Sequence, residues 1–388
     1  MRASTCLLFL LSACSATPGD TAGEGPPAFD RWSPPDDVGR YGVAVQTMEW
    51  TDARGKELKA DIWYPAIVEE DDQKGYYESF LPALEVYRAL PIDTRGGPHP
   101  VLAFSHGMQA IRFQSASTME YLASHGWVVV APDHPYNTPL DWDESKMPQA
   151  IEERPGDIAA TVDGLVTWAD AQGGDWVGAF DASRYAVMGH SLGSITALSV
   201  AGGVVDFEGA FARCEDGTAR GLVCGYLEDI DPARLEGAAG WDPRAEAVVP
   251  MSPGVWYAFG FDGEGLADIS PSLVLAGTAD PILSYDTEAR PTWAALGADK
   301  TLASFEDAGH YLFSDMCTLL PVTLIEAFTM ECSGGEEWLP AEPAQAVSKA
   351  LLTAWLDVYF RGEERSADWL TEDGLGAPDY LTIESDPG

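Results

Sequence analysis

Tyr185-Ala186-Val187-Met188-Gly189-His190-Ser191-Leu192-Gly193 is the stretch that decides how this chain is read. Four apolar residues run into Gly-x-Ser-x-Gly, and a small-residue stretch, Ser194 to Ala201, runs out of it. The pattern predicts a strand, a sharp turn and a helix, the setting of a nucleophile elbow. Such a turn holds its serine in strained backbone, and Gly at 189 and 193 leaves room for strand and helix to approach. A serine hydroxyl is a weak nucleophile at neutral pH, so the chain must also supply a base, an orienting acid and an oxyanion site. Without them Ser191 is only a turn serine.

The expected order after the elbow is acid, then histidine. Ser272 to Gly277 reads as a buried parallel strand, and Asp280 lies in the loop after it. Thr301 to Phe305 is the next strand, and His310, the one histidine after the elbow, lies past its end. Both side chains would emerge at the carboxyl edge of the sheet, where open α/β sheets place their sites. Ser191 is therefore assigned as nucleophile, His310 as general base and then acid, and Asp280 as the carboxylate that orients it. Asp262, Asp268 and Asp286 are rival acids; loop position favours Asp280. Upstream, the strand-like Val101 to Phe104 leads into Ser105-His106-Gly107-Met108. Gly107 lets the backbone turn, so that the N–H groups of Met108 and Leu192 would cradle an oxyanion. His106, just before that loop, reads as a supporting or packed residue.

Strands are expected at 41–50, 58–64, 100–105, 127–132, 246–251, 272–277 and 301–305, and helices at about 115–125, 156–171 and 344–360. This alternation predicts an α/β fold with a mostly parallel sheet covered on both faces. Residues 203–245 interrupt it, as either a cap over the site or a surface excursion pinned by a disulfide; 316–343 form a second insertion. Trp256, Tyr257, Phe259 and Tyr311 are candidate pocket residues, with plain packing of the insertion as the alternative.

Pro100 to Met108, with Tyr121-Leu122-Ala123-Ser124-His125-Gly126-Trp127-Val128-Val129-Val130-Ala131, resembles the platelet-activating-factor acetylhydrolase and dienelactone-hydrolase-like branch of the α/β-hydrolases. Residues 41–64, ending in Asp61-Ile62-Trp63-Tyr64-Pro65, are similar to that branch's opening strands. The resemblance implies an α/β-hydrolase fold and serine-dependent hydrolysis of small esters, with Met108 and Leu192 at the oxyanion positions and no metal or organic cofactor. Two positions depart from the branch. Its secreted acetylhydrolases carry the acid after the strand that here reads Ala247 to Pro253, which holds no Asp; the acid must come from the later strand, as Asp280 does. Ser194 stands where the branch often has Gly. An acetylated phospholipid substrate therefore does not follow. Lipase-like, peptidase and thioesterase activities on the same scaffold remain open, as does a lipoprotein that binds without turnover.

Met1-Arg2 and the apolar Cys6 to Ala13 form a stretch too short to span a bilayer. Its end, Leu11-Ser12-Ala13-Cys14, resembles a bacterial lipoprotein signal. That resemblance implies cleavage after residue 13, lipidation of Cys14, and export to the outer face of a membrane; the alternative is an ordinary secretory signal. Residues 14–39, rich in Pro, Gly and Asp, are expected to be a flexible tether, and 40–388 one elaborated domain. Four cysteines remain: Cys214, Cys224, Cys317 and Cys332. Three pairings are possible, and proximity favours Cys214–Cys224 and Cys317–Cys332. Nothing in their spacing suggests zinc.

The chain of 388 residues carries 22 Lys+Arg against 62 Asp+Glu, a formal charge of −40. Such a surface repels nucleic acid and anionic membranes, so any membrane association must come from the lipid. The acidity reads either as adaptation to a saline setting or as a solubilising surface. Thermal unfolding from dilute buffer to molar salt separates them. A melting temperature that climbs with salt marks the adaptation; one that stays level removes it.

Overall fold

Along His99–Ser105 alternate side chains point to opposite faces of a sheet, the two-residue period of a strand. Val101 and Ala103 enter one core, Leu102 and Phe104 the other. The structure is a computed structural model that describes residues 29–77, 85–218, 222–227, 229–231, 234, 240–319, 331–333 and 337–388. The expected signal at 1–13 and Cys14 lie outside the described residues.

Eleven strands form one sheet among the described residues: β1 (Gly42–Thr51), β2 (Glu57–Ala66), β3 (Lys74–Tyr76), β4 (Glu85–Arg88), β5 (His99–Ser105), β6 (Val128–Asp133), β7 (Phe180–His190), β8 (Ala245–Met251), β9 (Ser272–Gly277), β10 (Lys300–Phe305) and β11 (Leu381–Asp386). Their order is β11-β10-β9-β8-β7-β5-β6-β2-β1-β4-β3. From β6 through β10 every neighbouring pair is parallel, while β2 runs antiparallel to β6 and β1. The chain leaves β5 to one side for β6 and returns to its other side for β7. That reversal opens a crevice at the carboxyl ends of β5 and β7, where such sheets bind ligands.

Helices cover both faces. On one, α2 (Met147–Gln172) and α3 (Leu192–Val200) bury Ile158, Val162, Leu165 and Leu198 against Val101, Val128, Val187 and Val248. On the other, α1 (Ala116–Ser124) and a C-terminal helix (Ala341–Leu356) bury Met119, Leu122, Leu351 and Trp355 against Leu102, Val129, Met188 and Leu275. The α/β architecture with a mostly parallel sheet is as expected, and the seven expected strands recur within a residue or two.

Several features differ from expectation. Helix α2 starts at Met147 and not near 156, and it carries Pro155 internally. From sequence Pro155-Gly156 argues for a break, yet Pro148 in the first turn, where no N–H is needed, starts the helix earlier. The polar strand β11 adds an antiparallel edge that alternation alone did not reveal. Residues 29–39, at the end of the segment expected to be a tether, pack against the domain. Trp32 donates its indole N–H to Ser366 Oγ at 2.9 Å, and Arg365 pairs with Asp30 at 2.8 Å. Ser33 is buried 3.3 Å from His125 Nδ1. No helix among the described residues is long and apolar enough to cross a membrane.

Trp355 is wholly buried between the C-terminal helix and the sheet. Trp355→Ala should cost about 3–5 kcal/mol of stability. Chemical denaturation should show this as a lower midpoint at an unchanged m-value.

Candidate active site

Ser191 sits between β7 and α3 with φ 55° and ψ −120°, a conformation that L-residues avoid. Packing imposes it. A Cβ on Gly189 would collide with the Gly193 carbonyl, and one on Gly193 with the Ser105 carbonyl. Ser191 N–H donates to Met251 O on β8 at 3.0 Å, and its carbonyl accepts from Ser194 N–H at 2.8 Å and Ser194 Oγ–H at 2.6 Å. Ser194 thus fastens the elbow.

His310 and Asp280 come from the loops after β10 and β9, two adjacent strands. His310 Nδ1 lies 2.7 Å from Asp280 Oδ2, and both are buried. A carboxylate only accepts, so Nδ1 carries the proton and Nε2 keeps its lone pair. Asp280 Oδ1 accepts from the amides of Ile282 and Leu283, each at 2.8 Å, so the acid is fixed at both oxygens. Its rivals Asp262, Asp268 and Asp286 are exposed.

A chain of side chains joins the three loops. Gly107 N–H donates to Gln114 Oε1 at 2.8 Å, which turns Gln114 Nε2 toward His190 Nδ1 at 2.7 Å. His190 Nε2–H then donates to the His310 carbonyl at 2.9 Å, and Ser252 Oγ–H donates to the same oxygen at 3.1 Å. Burial holds His190 down at about 3, so it stays a neutral strut. Gln109 N–H donates to Asn137 Oδ1 at 2.9 Å. Met108 is thereby held between two anchored neighbours. Leu192 is the first residue of α3, so its N–H has no partner within the helix and sits at the positive end of the helix dipole.

A family model described as chlorophyllase matches residues 84–213, the span that holds the 105–109 loop and the elbow. A cutinase from Thermobifida alba, est2, is 27% identical over 213 residues, covering 54% of this chain and 52% of the cutinase. The chain thus spans about half the length of the curated relative it matches. A solved ferulic acid esterase from Streptomyces cinnamoneus is similar with a TM-score of 0.55 and 20% identity, over 83% of this chain and 91% of the other. The chain has the α/β-hydrolase fold.

Beneath the elbow lies a buried Ser-His-Asp array that no sequence spacing announced. Ser105 Oγ is 3.0 Å from His134 Nε2, and His134 Nδ1 is 3.1 Å from Asp157 Oδ2. All three are fully buried, and Arg154 Nη2 donates to Ser105 Oγ at 3.0 Å. A hydroxyl with no route to substrate cannot serve as nucleophile. The array instead ties β5 to α2 and α3, because Arg154 also reaches the His106 carbonyl and, at 3.0 Å, Thr196 Oγ1. Burial lowers Arg154 to about 9 and holds His134 and His106 well below the usual imidazole range. His106 is packed: its Nε2 accepts from His134 N–H at 3.1 Å, and its Nδ1–H donates to the Gly107 carbonyl.

A cavity of about 50 Å³ borders Met108 and Leu192. Its other walls include Ile195 of α3, Val255, and Phe207, Tyr226 and Ile230 from the 203–245 insertion. That insertion is therefore a wall of the cavity. Within it α4 (Phe207–Asp216) and α5 (Leu222–Leu227) are joined by Cys214–Cys224, with Cα atoms 5.6 Å apart. The second expected disulfide, Cys317–Cys332, is also formed. Trp256, Tyr257, Phe259 and Tyr311 are not in the wall of this cavity. Phe259 and Tyr257 are buried in the α2–α3 core, and Trp256 packs on Tyr257 and donates to the Thr287 carbonyl. Tyr311 is half-buried beside His310, at 5.2 Å between ring centroids, and outside the cavity wall. Residues 253–261 do reach the cavity, through Val255 and Ala258. Alternation along the segment, invisible without the backbone turn there, sends the large rings inward.

Gly193→Ala should displace α3 from Ser105 and lower the melting temperature by several degrees, as expected of overpacking by about 1–3 kcal/mol. Differential scanning calorimetry reads the effect.

Proposed function

We propose that this chain is a serine-dependent carboxylic ester hydrolase acting on small, short-acyl esters through an acyl-enzyme. The observation that carries the reading is the buried His310–Asp280 bond, on loops tied to the elbow through His190. In that tautomer His310 Nε2 takes the Ser191 proton as Oγ attacks the ester carbonyl. The amides of Met108 and Leu192 stabilise the oxyanion. The carbonyl re-forms, the alkoxide leaves with the proton from His310, and water repeats the sequence to release the acid and regenerate Ser191. The small, mostly apolar cavity lined in part by Met108 and Leu192 suits a short acyl group. The ferulic acid esterase is similar in fold, and the cutinase over part of the chain, which favours an ester over an amide or thioester. Within the superfamily we place it near the acetylhydrolase and dienelactone-hydrolase-like branch, on the residues at 100–131.

We further propose an exported protein, lipidated at Cys14 and held off a membrane by the segment that follows. Two disulfides fit an oxidising compartment.

Hydrolysis of p-nitrophenyl esters of increasing acyl length, with Ser191→Ala alongside, tests the activity. Turnover should fall steeply beyond short chains, and the variant should lose roughly a thousandfold or more in kcat. A preference for long chains would make it lipase-like. Full activity in Ser191→Ala would sink the mechanism.

A further inference from the structure

Glu331 lies in a short turn, Glu331–Ser333, next in sequence to the Cys317–Cys332 bond. Its Oε1 accepts from Tyr311 N–H at 2.8 Å, next to His310 in the chain. The fit is close enough that a Cβ on Gly309 would collide with Glu331 Oε2. One carboxylate therefore grips the backbone of the His310 loop from one side, while His190 and Ser252 hold the His310 carbonyl from the other.

We propose that Glu331 is a positioning residue for His310, delivered to its loop by the Cys317–Cys332 cross-link, and that its charge favours the protonated imidazole formed during turnover. The idea rests on the hydrolase reading above. Among the described residues, the charged or titratable groups around His310 are Asp280 on the β9 loop, His190 at the end of β7, Tyr311 on its own loop, and Glu331. Of these, His190 stays neutral and Tyr311 is pushed up by burial, so Asp280 and Glu331 are the two anions. Burial pushes Glu331 up to about 6. It is thus mainly ionised at neutral pH and loses its charge below about 6. The cross-link fixes the residue beside Glu331 to Cys317, at the start of a short helix (Met316–Leu319) that continues the His310 loop.

The test uses the full chain with Glu331→Gln, Glu331→Ala and the paired Cys317→Ser/Cys332→Ser. Glu331→Ala and the paired variant should each lose roughly ten- to hundredfold in kcat/KM, the scale of a misplaced catalytic group. Glu331→Gln, which keeps an acceptor for the Tyr311 amide, should recover part of that loss. Its acid limb of kcat/KM should move to lower pH, because an anion that favours the protonated base is gone. Independently of activity, hydrogen exchange at the Tyr311 amide should quicken in Glu331→Ala and in the paired variant, but not in Glu331→Gln. Wild-type exchange and wild-type kcat/KM in Glu331→Ala would overturn the proposal, as would an acid limb in Glu331→Gln that overlays the parent. Activity that survives Ser191→Ala would instead sink the hydrolase reading, while the exchange result would still report on Glu331.

Discussion

Everything at the site depends on keeping Ser191 at φ 55°. No side-chain contact could hold a serine there alone, since such backbone costs of order 1–3 kcal/mol. The holding force is steric. Gly189, Gly193 and Ser105 meet backbone to backbone, so β7, α3 and the end of β5 cannot relax without separating. The same contact fixes the backbone on either side of it, where Met108 follows β5 and Leu192 opens α3.

The polar networks extend that constraint outward. Gln114 and His190 connect the 107 loop to the 310 loop with a directed run of hydrogen bonds, each donor and acceptor settled by the next. Arg154 secures the other side, joining Ser105 and His106 to Thr196. These groups are buried, and a buried donor left unmade costs about 1–3 kcal/mol, so the networks act as rigid supports and not as solvent-facing decoration. They also explain why a buried Ser-His-Asp array and a catalytic candidate coexist 86 residues apart in the two serines, Ser105 and Ser191. Access and backbone strain, not the side-chain trio itself, separate them.

The acidic surface has a corresponding logic inside. Some of the cations make buried or half-buried contacts: Arg112 with Asp61 and Asp133, Lys56 with Glu153 and Asp157, Arg361 with Asp357. At those positions an unpaired buried carboxylate would be costly.

The sequence by itself determined the strand–turn–helix at 185–200, the order Ser191, Asp280, His310 and the alternation that makes a mostly parallel sheet. Those are local: they follow from residue period, glycine placement and the ends of strands. It also narrowed the disulfides, because two cysteine pairs lay close along the chain. What only the tertiary structure decided is everything that turns on which side chains meet across elements. Pro155 sits inside a helix because flanking packing outweighs its propensity. Tyr257 and Phe259 point into the core because the backbone turns at Val255, where φ is 59°. Gln114 meets His190, Arg154 meets Ser105 and Thr196, and Glu331 meets the Tyr311 amide, each across separate elements that no periodicity links; folding of the chain alone makes them partners.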